Sequence, residues 1–349
     1  MSQPQSAAPA ETLAVLGAGT WGLTLACLLH AKGAKTVLWD AFPDYLANLS
    51  RTRKHPKLPD LDVPGDLPML DDLAQASRAD ALVFVVASHA VRIVFGDLKK
   101  LGVDLSPKIL TICAKGIEPD TLKTMTEVAE DVWGESIRPR LGVLSGPSHA
   151  EEVSVGMPTT VVASSANVET AKRIQAIFFT PRFRVYTHDD VLGVELGGSL
   201  KNIIAIAAGI CDGLGFGDNS RAALITRGLA EMTRLGVAMG ARAETFSGLT
   251  GMGDLIVTAG SRHSRNHNFG AMIAHGLTAE QAQREIGMVV EGINTCASAV
   301  ALAAKHRVEM PITRQVYAVL YEGKSARQAV QDLMLRGPKA ESGPGLRPS

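Results

Sequence analysis

The sequence predicts two domains: a doubly wound α/β sheet over residues 12–190, followed by an all-helical domain over residues 191–335. In the first half, short apolar runs of strand length alternate with helix-compatible segments, as in a parallel sheet covered by helices. Beyond about residue 190 such runs nearly vanish, and Ala, Leu, Met and Glu recur with helical periodicity. A chain of 349 residues, 46% of them hydrophobic, can also fill two cores.

The first predicted strand runs into a glycine-rich turn. Residues 13–16 are apolar, GAGTWG occupies residues 17–22, and a second β-branched run over residues 36–39 ends in Asp40. In such a strand–turn–helix–strand unit, the glycines permit a tight turn, close approach of a pyrophosphate and close helix packing. The helix N-terminus adds free N–H groups and the positive end of its dipole. We therefore expect a Rossmann-like dinucleotide site at Gly17, Gly19 and Gly22, with Asp40 accepting ribose hydroxyls.

The same alternation predicts the other elements. Strands are expected at residues 81–87, 109–113, 141–144, 159–163 and 183–186, with helices at 91–101 and 121–133. The proline-rich residues 42–80 predict a loop across the sheet edge. Later helices are expected at residues 191–211, 219–239, 265–275, 279–286, 295–306 and 325–335. Residues 1–11 and 336–349 are expected to be disordered.

Composition limits the classes of partner. With 35 basic and 35 acidic residues the formal net charge is zero. This charge balance argues against non-specific electrostatic binding to nucleic acid or to an anionic membrane. The four cysteines are far apart and lack metal-ligand spacing, so we expect reduced thiols and no metal site. Residues 1–11 lack signal-peptide features, and the apolar run 196–211 looks too short and polar to span a bilayer. These features favour a cytoplasmic protein without membrane insertion.

Two turns at the carboxyl ends of predicted strands are candidate ligand contacts, since α/β proteins bind ligands there. Lys115, in the turn CAKGIE, would direct a cation into the crevice; a solvated surface lysine is the alternative. The second turn is SGPSHA over residues 145–150. Its adjacent Ser148 and His149 lack a third orienting group, which argues against hydrolase chemistry.

Lys201 is the only charged residue between Glu195 and Asp212, in a run that looks fully buried. An unpaired buried ammonium is costly, so the lysine is expected to face a cavity or a partner. Desolvation would lower its pKa toward the range useful in proton transfer. The preceding Gly197, Gly198 and Ser199 are expected to leave room for a ligand. A lysine whose stem covers an apolar helix face is the alternative.

Two later segments carry further polar candidates. GMGD over residues 251–254 predicts a flexible turn, whose carboxylate could hold a hydroxyl or a lysine. GSRHSRNHN over residues 260–268 places two arginines before a helix, a pattern that suits a phosphate dianion, although a solvated loop is the alternative. Glu291 follows a β-branched pair and is ambiguous on its own.

Together these segments resemble the bacterial-type NAD(P)-dependent glycerol-3-phosphate dehydrogenases over roughly residues 12–335. The matching blocks include GAGTWG, AKGIE, SGPSHAEE, GLTGMGDL, SRN, VVEG, EMPIT and the long segment from ELGGSLKN to GLAEM. The resemblance implies reversible hydride transfer between NAD(P)H and dihydroxyacetone phosphate, which gives sn-glycerol 3-phosphate and supplies glycerophospholipid synthesis.

The resemblance also implies roles for individual residues. Lys201 matches the catalytic proton donor and acceptor. The matched substrate contacts are Lys115, Gly146, Ser148, Lys201, Asp254, Ser264, Arg265 and Asn266. The matched cofactor contacts, besides the glycines, are Thr20, Trp21, Lys115, Ala150, Arg265, Val289 and Glu291.

Cofactor choice and rival functions stay open in the sequence. Asp40 lies where many NADP-using members have Arg or His, and an acid there should repel a 2′-phosphate, which slightly favours NAD over NADP. The rivals are a β-hydroxyacid or ketopantoate-type reductase and a non-catalytic dinucleotide-binding redox sensor. A sensor would lack the proton donor. A homodimer is one open alternative, since the sequence does not decide oligomeric state, physiological direction or feedback inhibition.

Overall fold

The computed structural model describes residues 11–337 and residue 341, so the ends expected to be disordered fall mostly outside the described residues. An eight-stranded sheet with helices on both faces forms from residues 12–188, and the helices from Val191 onward form the rest. The predicted fold class is therefore confirmed.

The sheet is mostly parallel. The strands are β1 (Thr12–Leu16), β2 (Lys35–Trp39), β3 (Met69–Leu70), β4 (Ala81–Phe84), β5 (Ile109–Ile112), β6 (Leu141–Ser145), β7 (Thr159–Ser164) and β8 (Phe183–His188). Their spatial order is β3-β2-β1-β4-β5-β6-β7-β8. Only β6 and β7 pair antiparallel among these strands. Because the chain reverses direction across the sheet between β1 and β4, a crevice opens at their carboxyl ends.

Helices cover both faces of the sheet. They are α1 (Thr20–Ala31), α2 (Pro43–Thr52), α3 (Leu73–Ala76), α4 (Val91–Lys100), α5 (Met125–Trp133), α6 (Ala150–Ser154) and α7 (Val168–Phe178). Alternate side chains of β1 enter different cores: Leu13 and Val15 join one apolar cluster, and Ala14 and Leu16 join the other. This alternation is what a strand buried on both faces requires.

The prediction of a loop over residues 42–80 was wrong in part, since α2, β3 and α3 lie there. Pro43 occupies the first turn of α2, where its missing N–H breaks no helical hydrogen bond. Leu46 and Leu49 then bury one face of the helix. Pro43 therefore lies at the start of a helix, although the proline-rich composition suggested irregular backbone.

The second half consists of helices around one central helix. They are α8 (Val191–Gly213), α9 (Asp218–Ala238), α10 (Ala243–Phe246), α11 (Asp254–Gly260), α12 (Arg265–Ala274), α13 (Ala279–Ile286), α14 (Glu291–His306), α15 (Pro311–Tyr321) and α16 (Ala326–Met334). Helices α9, α11, α12 and α14 all pack against α8. Helices α10, α11 and α15 were not predicted from the sequence. Pro311, at the first position of α15, is again compatible with a helix start.

Helix α8 is longer than the apolar run that the sequence analysis considered. By length and composition alone its 23 residues could cross a bilayer, which the shorter run 196–211 did not indicate. However, 89% of its most apolar 18-residue window is buried inside the protein. Its apolar character therefore reflects its place at the centre of the helical core.

Candidate active site

The glycine loop has the geometry that its sequence predicts. Gly17 has a φ of 112°, which L side chains rarely adopt. A Cβ at Gly22 would stand 1.8 Å from the carbonyl oxygen of Gly17, so only glycine lets α1 pack this closely. Among the described atoms, none lies within 4 Å of a Cβ built at Gly19. Since α1 also begins at Thr20 without a side-chain cap, its first N–H groups suit a phosphate anion.

Asp40 is part of the support of this loop. Its Oδ2 accepts the backbone N–H of Ala18 at 2.6 Å, and its Oδ1 accepts that of Phe42 at 3.1 Å. The Tyr45 hydroxyl donates to the Ala18 carbonyl oxygen at 2.8 Å. Asp40 is only 9% exposed. Its carboxylate therefore holds the loop in shape and places a negative charge at the end of β2.

Three charged side chains meet where the β5 turn, α8 and α11 come together. The Nζ atom of Lys201 donates to Oδ1 of Asp254 at 2.6 Å, and Nζ of Lys115 donates to Oδ2 of the same carboxylate at 2.7 Å. Lys201 and Asp254 are 6% and 1% exposed. Asp254 is thus the partner that a buried Lys201 needs. Its carboxylate accepts hydrogen bonds from two ammonium groups, those of Lys201 and Lys115.

Burial and neighbouring charges set the protonation of this cluster. Burial lowers the pKa of Lys201 to about 8, the charge of Asp254 works against this decrease, and that of Lys115 adds to it. Burial would raise the pKa of Asp254, but the two ammonium groups outweigh it and hold that pKa below its usual range. The carboxylate stays ionised, while Lys201 can exchange a proton near neutral pH.

Lys201 has a second partner that the sequence analysis missed. Its Nζ donates to Oγ1 of Thr258 at 2.6 Å. The expected flexible turn at residues 251–254 is instead a π-helical turn, Leu249–Gly253, that runs directly into α11. Asp254 and Thr258 are four residues apart on α11 and share a face. A helix prediction from Asp254 onward would have identified Thr258.

The glycines in the ELGGSLK sequence of α8 make room for protein atoms, so the expectation of a ligand there was wrong. A Cβ at Gly198 would stand 2.7 Å from Oγ of Ser145 and 3.6 Å from the stem of Lys115. A Cβ at Gly197 would stand 2.7 Å from the carbonyl oxygen of Thr250. Both glycines let α8 approach the elements that carry the other charged groups.

The SRN sequence forms the N-terminus of α12. Ser264 is the N-cap, and its Oγ accepts the N–H of His267 at 3.2 Å. In the described part of the chain, the backbone N–H groups of Arg265 and Asn266 have no acceptor. The exposed Arg265 side chain donates one hydrogen bond, to the Val289 carbonyl oxygen at 2.7 Å. This end of α12 combines free N–H groups with a guanidinium and suits an anion.

Two further side chains connect separate elements around the crevice. The Asn266 amide donates to Oδ1 of Asn202 at 3.0 Å, and its Oδ1 accepts the N–H of Gly292 at 2.9 Å. Glu291 accepts the backbone N–H of Ser88 at 2.9 Å and also its hydroxyl. Ser88 follows β4, in a carboxyl-end turn that the sequence analysis did not consider. Glu291 therefore joins α14 to the sheet.

The other predicted contacts lie along the same edge. The Gly146 carbonyl oxygen accepts from Nζ of Lys115 at 3.1 Å and from Oγ of Ser148 at 3.0 Å. Ala150 begins α6, which packs against α1, and Trp21 is the second residue of α1. The structure therefore forms two groups, one around the glycine loop and one around Asp254. Within residues 11–337, no hydrogen bond joins the two.

No group of three His, Cys, Asp or Glu residues in the described part of the chain is placed to hold a metal ion. All four cysteines are buried and free. Burial raises the pKa of Cys113, which lies two residues before Lys115, to about 12, and Lys115 offsets this only in part. That thiol is therefore protonated and unreactive at neutral pH.

Comparison with known proteins identifies the family. The profile described as NAD-dependent glycerol-3-phosphate dehydrogenase N-terminus matches residues 12–171, and its C-terminus counterpart matches residues 190–331. The chain belongs to this dehydrogenase family. The resemblance found in the sequence is thereby confirmed.

Members of this dehydrogenase family match over nearly their whole length. The NAD(P)+ glycerol-3-phosphate dehydrogenase of Geobacter metallireducens is 50% identical over 336 residues, 95% of this chain and 99% of the relative. That of Fusobacterium nucleatum is 49% identical over 331 residues, 94% of this chain and 98% of the relative. The crystal structure of the Coxiella burnetii enzyme superposes with a TM-score of 0.88 at 39% identity, covering 94% of this chain and 99% of that one.

Proposed function

We propose that this chain catalyses reversible hydride transfer between NAD(P)H and dihydroxyacetone phosphate, giving sn-glycerol 3-phosphate for glycerophospholipid synthesis. The observation that carries the proposal is the buried Asp254 carboxylate, which holds the ammonium groups of Lys115 and Lys201 together. Two cations at one point, on the sheet edge that also carries the dinucleotide-type loop, suit the reduction of a carbonyl to an alcohol. The relatives named above carry the corresponding enzyme name.

The dinucleotide is proposed to lie across the carboxyl edge of the sheet. The open space at Gly19 and the uncapped start of α1 fit its pyrophosphate. When bound, its nicotinamide supplies or accepts the hydride. The proposed cofactor contacts are Gly17, Gly19, Thr20, Trp21, Gly22, Asp40, Lys115, Ala150, Arg265, Val289 and Glu291.

Lys201 is the proposed proton donor in the reduction. In that direction a proton leaves its Nζ for the carbonyl oxygen of the substrate as that oxygen becomes an alkoxide. In the oxidation, neutral Nζ takes the proton from the hydroxyl. Lys115 stabilises the developing negative charge, and Asp254 keeps both ammonium groups at one position.

The N-terminus of α12 is the proposed site for the substrate phosphate. Arg265 adds a guanidinium to the free N–H groups there, and Ser264 is the N-cap of the helix. Asn202, next to Lys201 on α8, bonds to Asn266 on α12, so the phosphate end and the reacting end of the site are rigidly connected. The proposed substrate contacts are Lys115, Gly146, Ser148, Lys201, Asp254, Ser264, Arg265 and Asn266.

The test is NADH and NADPH oxidation with dihydroxyacetone phosphate, beside unphosphorylated dihydroxyacetone. We expect turnover with the phosphorylated ketone and a kcat/KM at least about 100-fold lower without the phosphate, since charge-assisted contacts would be lost. Equal rates with both ketones would contradict the proposed phosphate site. Absence of turnover with dihydroxyacetone phosphate would contradict the proposed function.

Arg265→Ala should mainly raise the KM for dihydroxyacetone phosphate. Loss of a charge-assisted contact costs about 1.5–3 kcal/mol, roughly 10- to 150-fold in affinity. The measurement is steady-state kinetics at saturating NADH. Arg262→Ala is the control, because that exposed arginine lies three residues earlier, outside α12. A KM for the Arg265 variant equal to that of wild type would place the phosphate elsewhere.

We propose that NADH is preferred over NADPH. A 2′-phosphate carries nearly two negative charges, and its repulsion from Asp40 at about 4 Å would be a few kcal/mol per charge pair before screening. Arg53, one basic residue that could offset this, is already bound: its Nη1 donates to the carbonyl oxygens of Pro64 and Leu67, both at 2.9 Å.

The cofactor preference is measured as the ratio of kcat/KM for NADH to that for NADPH. Asp40→Ala should lower this ratio by about 10-fold or more, because the repulsion disappears. Both cofactors should bind less well to the variant, since Ala18 loses its hydrogen-bond acceptor, and for that reason the ratio is the informative quantity. A wild-type enzyme that prefers NADPH would contradict this proposal.

The domain assignment and location follow from the same proposal. Residues 12–190 are proposed to bind the dinucleotide and residues 191–335 to supply the proton donor and the phosphate site. The protein is proposed to work in the cytoplasm, an assignment that its four free, buried cysteines fit.

A further inference from the structure

Helix α8 carries a second buried charged residue, which the mechanism above does not use. Glu195 is 6% exposed, and its carboxylate accepts the backbone N–H of Thr126 at 2.9 Å and the hydroxyl of Thr126 at 2.5 Å. Thr126 is the second residue of α5. A carboxyl group from the helical half thus caps a helix of the sheet half. Burial raises the pKa of this Glu195 carboxyl to about 7, and the hydrogen bonds from Thr126 offset that rise only in part.

Glu195 lies in a row with the catalytic lysine. Glu195, Gly198 and Lys201 are spaced three residues apart, so they form one inclined ridge on α8. The middle position lies beside the stem of Lys115, from which a Cβ built at Gly198 would stand 3.6 Å away. At the far end of the ridge, Lys201 meets the carboxylate that also binds Lys115. Glu195 and Gly198 therefore face the start of α5 and the turn that carries Lys115, whereas Lys201 is connected to Lys115 through Asp254.

That segment transmits the position of α5 to Lys115. Ile117, two residues after Lys115, forms an antiparallel bridge with Thr124, the N-cap of α5. Oγ of Ser298 on α14 donates to the Ile117 carbonyl oxygen at 3.1 Å. Any shift of the start of α5 relative to α8 would therefore move the turn that carries Lys115.

We propose that Glu195 is a positioning residue, which by tying α8 to the start of α5 sets Lys115 and Lys201 at the distance that one carboxylate can bridge. The inference rests on the proposed function, since it concerns the geometry of those two lysines. Among the described residues, Glu195 forms no hydrogen bond with either lysine. Its proposed effect therefore comes from the packing of α8 against α5.

Glu231 provides a matched comparison within the chain. It is 1% exposed on α9 and accepts the N–H groups of Ile312 and Thr313 at 2.7 and 3.1 Å, together with the Thr313 hydroxyl. It thus caps α15 much as Glu195 caps α5. Both ends of this contact are helices of the second half, and neither carries a proposed catalytic group. A purely structural role predicts similar behaviour for the two carboxylates.

The experiment compares Glu195→Gln, Thr126→Val and Glu231→Gln in the full-length protein. For each variant we would measure thermal stability, the Kd of NADH by fluorescence, kcat with dihydroxyacetone phosphate, and the primary isotope effect with NADH deuterated at the transferred position. Removal of Glu195 should lower kcat about 10- to 100-fold and raise the isotope effect, because misplaced groups slow the chemical step. The Kd of NADH should stay within about twofold. Thr126→Val should change kcat and the isotope effect in the same direction, by less.

Glu231→Gln should lower the melting temperature and leave the isotope effect unchanged, since a smaller folded fraction slows turnover without altering the reaction. If Glu195→Gln keeps wild-type kcat and isotope effect, or if Glu231→Gln changes both equally, the inference is overturned. Should Glu195→Gln fail to fold, the isotope effect of Thr126→Val decides. A wild-type protein without turnover would overturn the proposed function and this inference with it, whereas an active wild type isolates the role of Glu195.

Discussion

Replacing Lys201 with alanine is expected to lower kcat by roughly 10²–10⁴-fold, the usual contribution of a positioned general acid. The change removes the proton donor, whereas the glycine loop keeps its structure because it has no hydrogen bond to Lys201 within residues 11–337. NADH affinity should therefore survive. The measurement is steady-state turnover with dihydroxyacetone phosphate, combined with fluorescence titration of NADH.

Lys201→Arg separates charge from proton transfer. An arginine keeps the positive charge, but its pKa above about 12 prevents it from giving up a proton at neutral pH. The Lys201→Arg variant should therefore also have a lower kcat than the wild type. A Lys201→Ala variant that retains more than about half of wild-type turnover would refute the assignment of Lys201 as the proton donor.

The elements that the sequence could predict are those determined locally. Gly17 and Gly22 are required by the backbone of one turn, and residues within a few positions of each other decide that turn. Lys201 stands out because a charge inside an apolar helix must be satisfied somewhere, whatever its partner. The family resemblance then supplied roles that local chemistry could not, such as that of Glu291.

The partners could not be predicted, because they depend on folding distant segments together. Asp254 lies 53 residues from Lys201 and 139 residues from Lys115, and no local pattern specifies either distance. Thr258 was not predicted because GMGD was interpreted as a turn, since its two glycines, Gly251 and Gly253, weaken a helical pattern. In the π-helical turn, a Cβ at Gly251 would stand 2.1 Å from the carbonyl oxygen of Phe246, five residues earlier, so this turn requires glycine there.

The Asp40 carboxylate illustrates a different limit. The sequence correctly puts an acid at the end of β2, but it does not show that two backbone N–H groups already occupy the carboxylate oxygens. Those hydrogen bonds depend on the exact path of the loops on both sides of the strand. The proposed preference for NADH therefore rests on the charge of Asp40, because charge acts over a longer range than a hydrogen bond.

Asp254→Asn is expected to impair both stability and catalysis. Removing one partner of a buried ion pair costs about 3–5 kcal/mol, because the charges left behind stay buried without compensation. Here both Lys115 and Lys201 would lose the carboxylate that they share. The melting temperature should fall by several degrees. Turnover should fall too, as neither ammonium group keeps its position.

The pH profile of kcat should shift in Asp254→Asn, in the direction that the pKa of Lys201 determines. Asp254 raises the pKa of Lys201 against the effect of burial, so its loss should move that pKa below about 8. Reduction requires protonated Lys201, and its rate falls as pH rises through the pKa; in Asp254→Asn this fall should begin at a lower pH. Asp131→Asn is the control, because Asp131 also joins two cations, Arg92 and Lys123, but its side chain is 35% exposed. The Asp131→Asn variant should keep the wild-type pH profile of kcat.

An unchanged pH profile of kcat in Asp254→Asn would mean that a group other than Lys201 donates the proton.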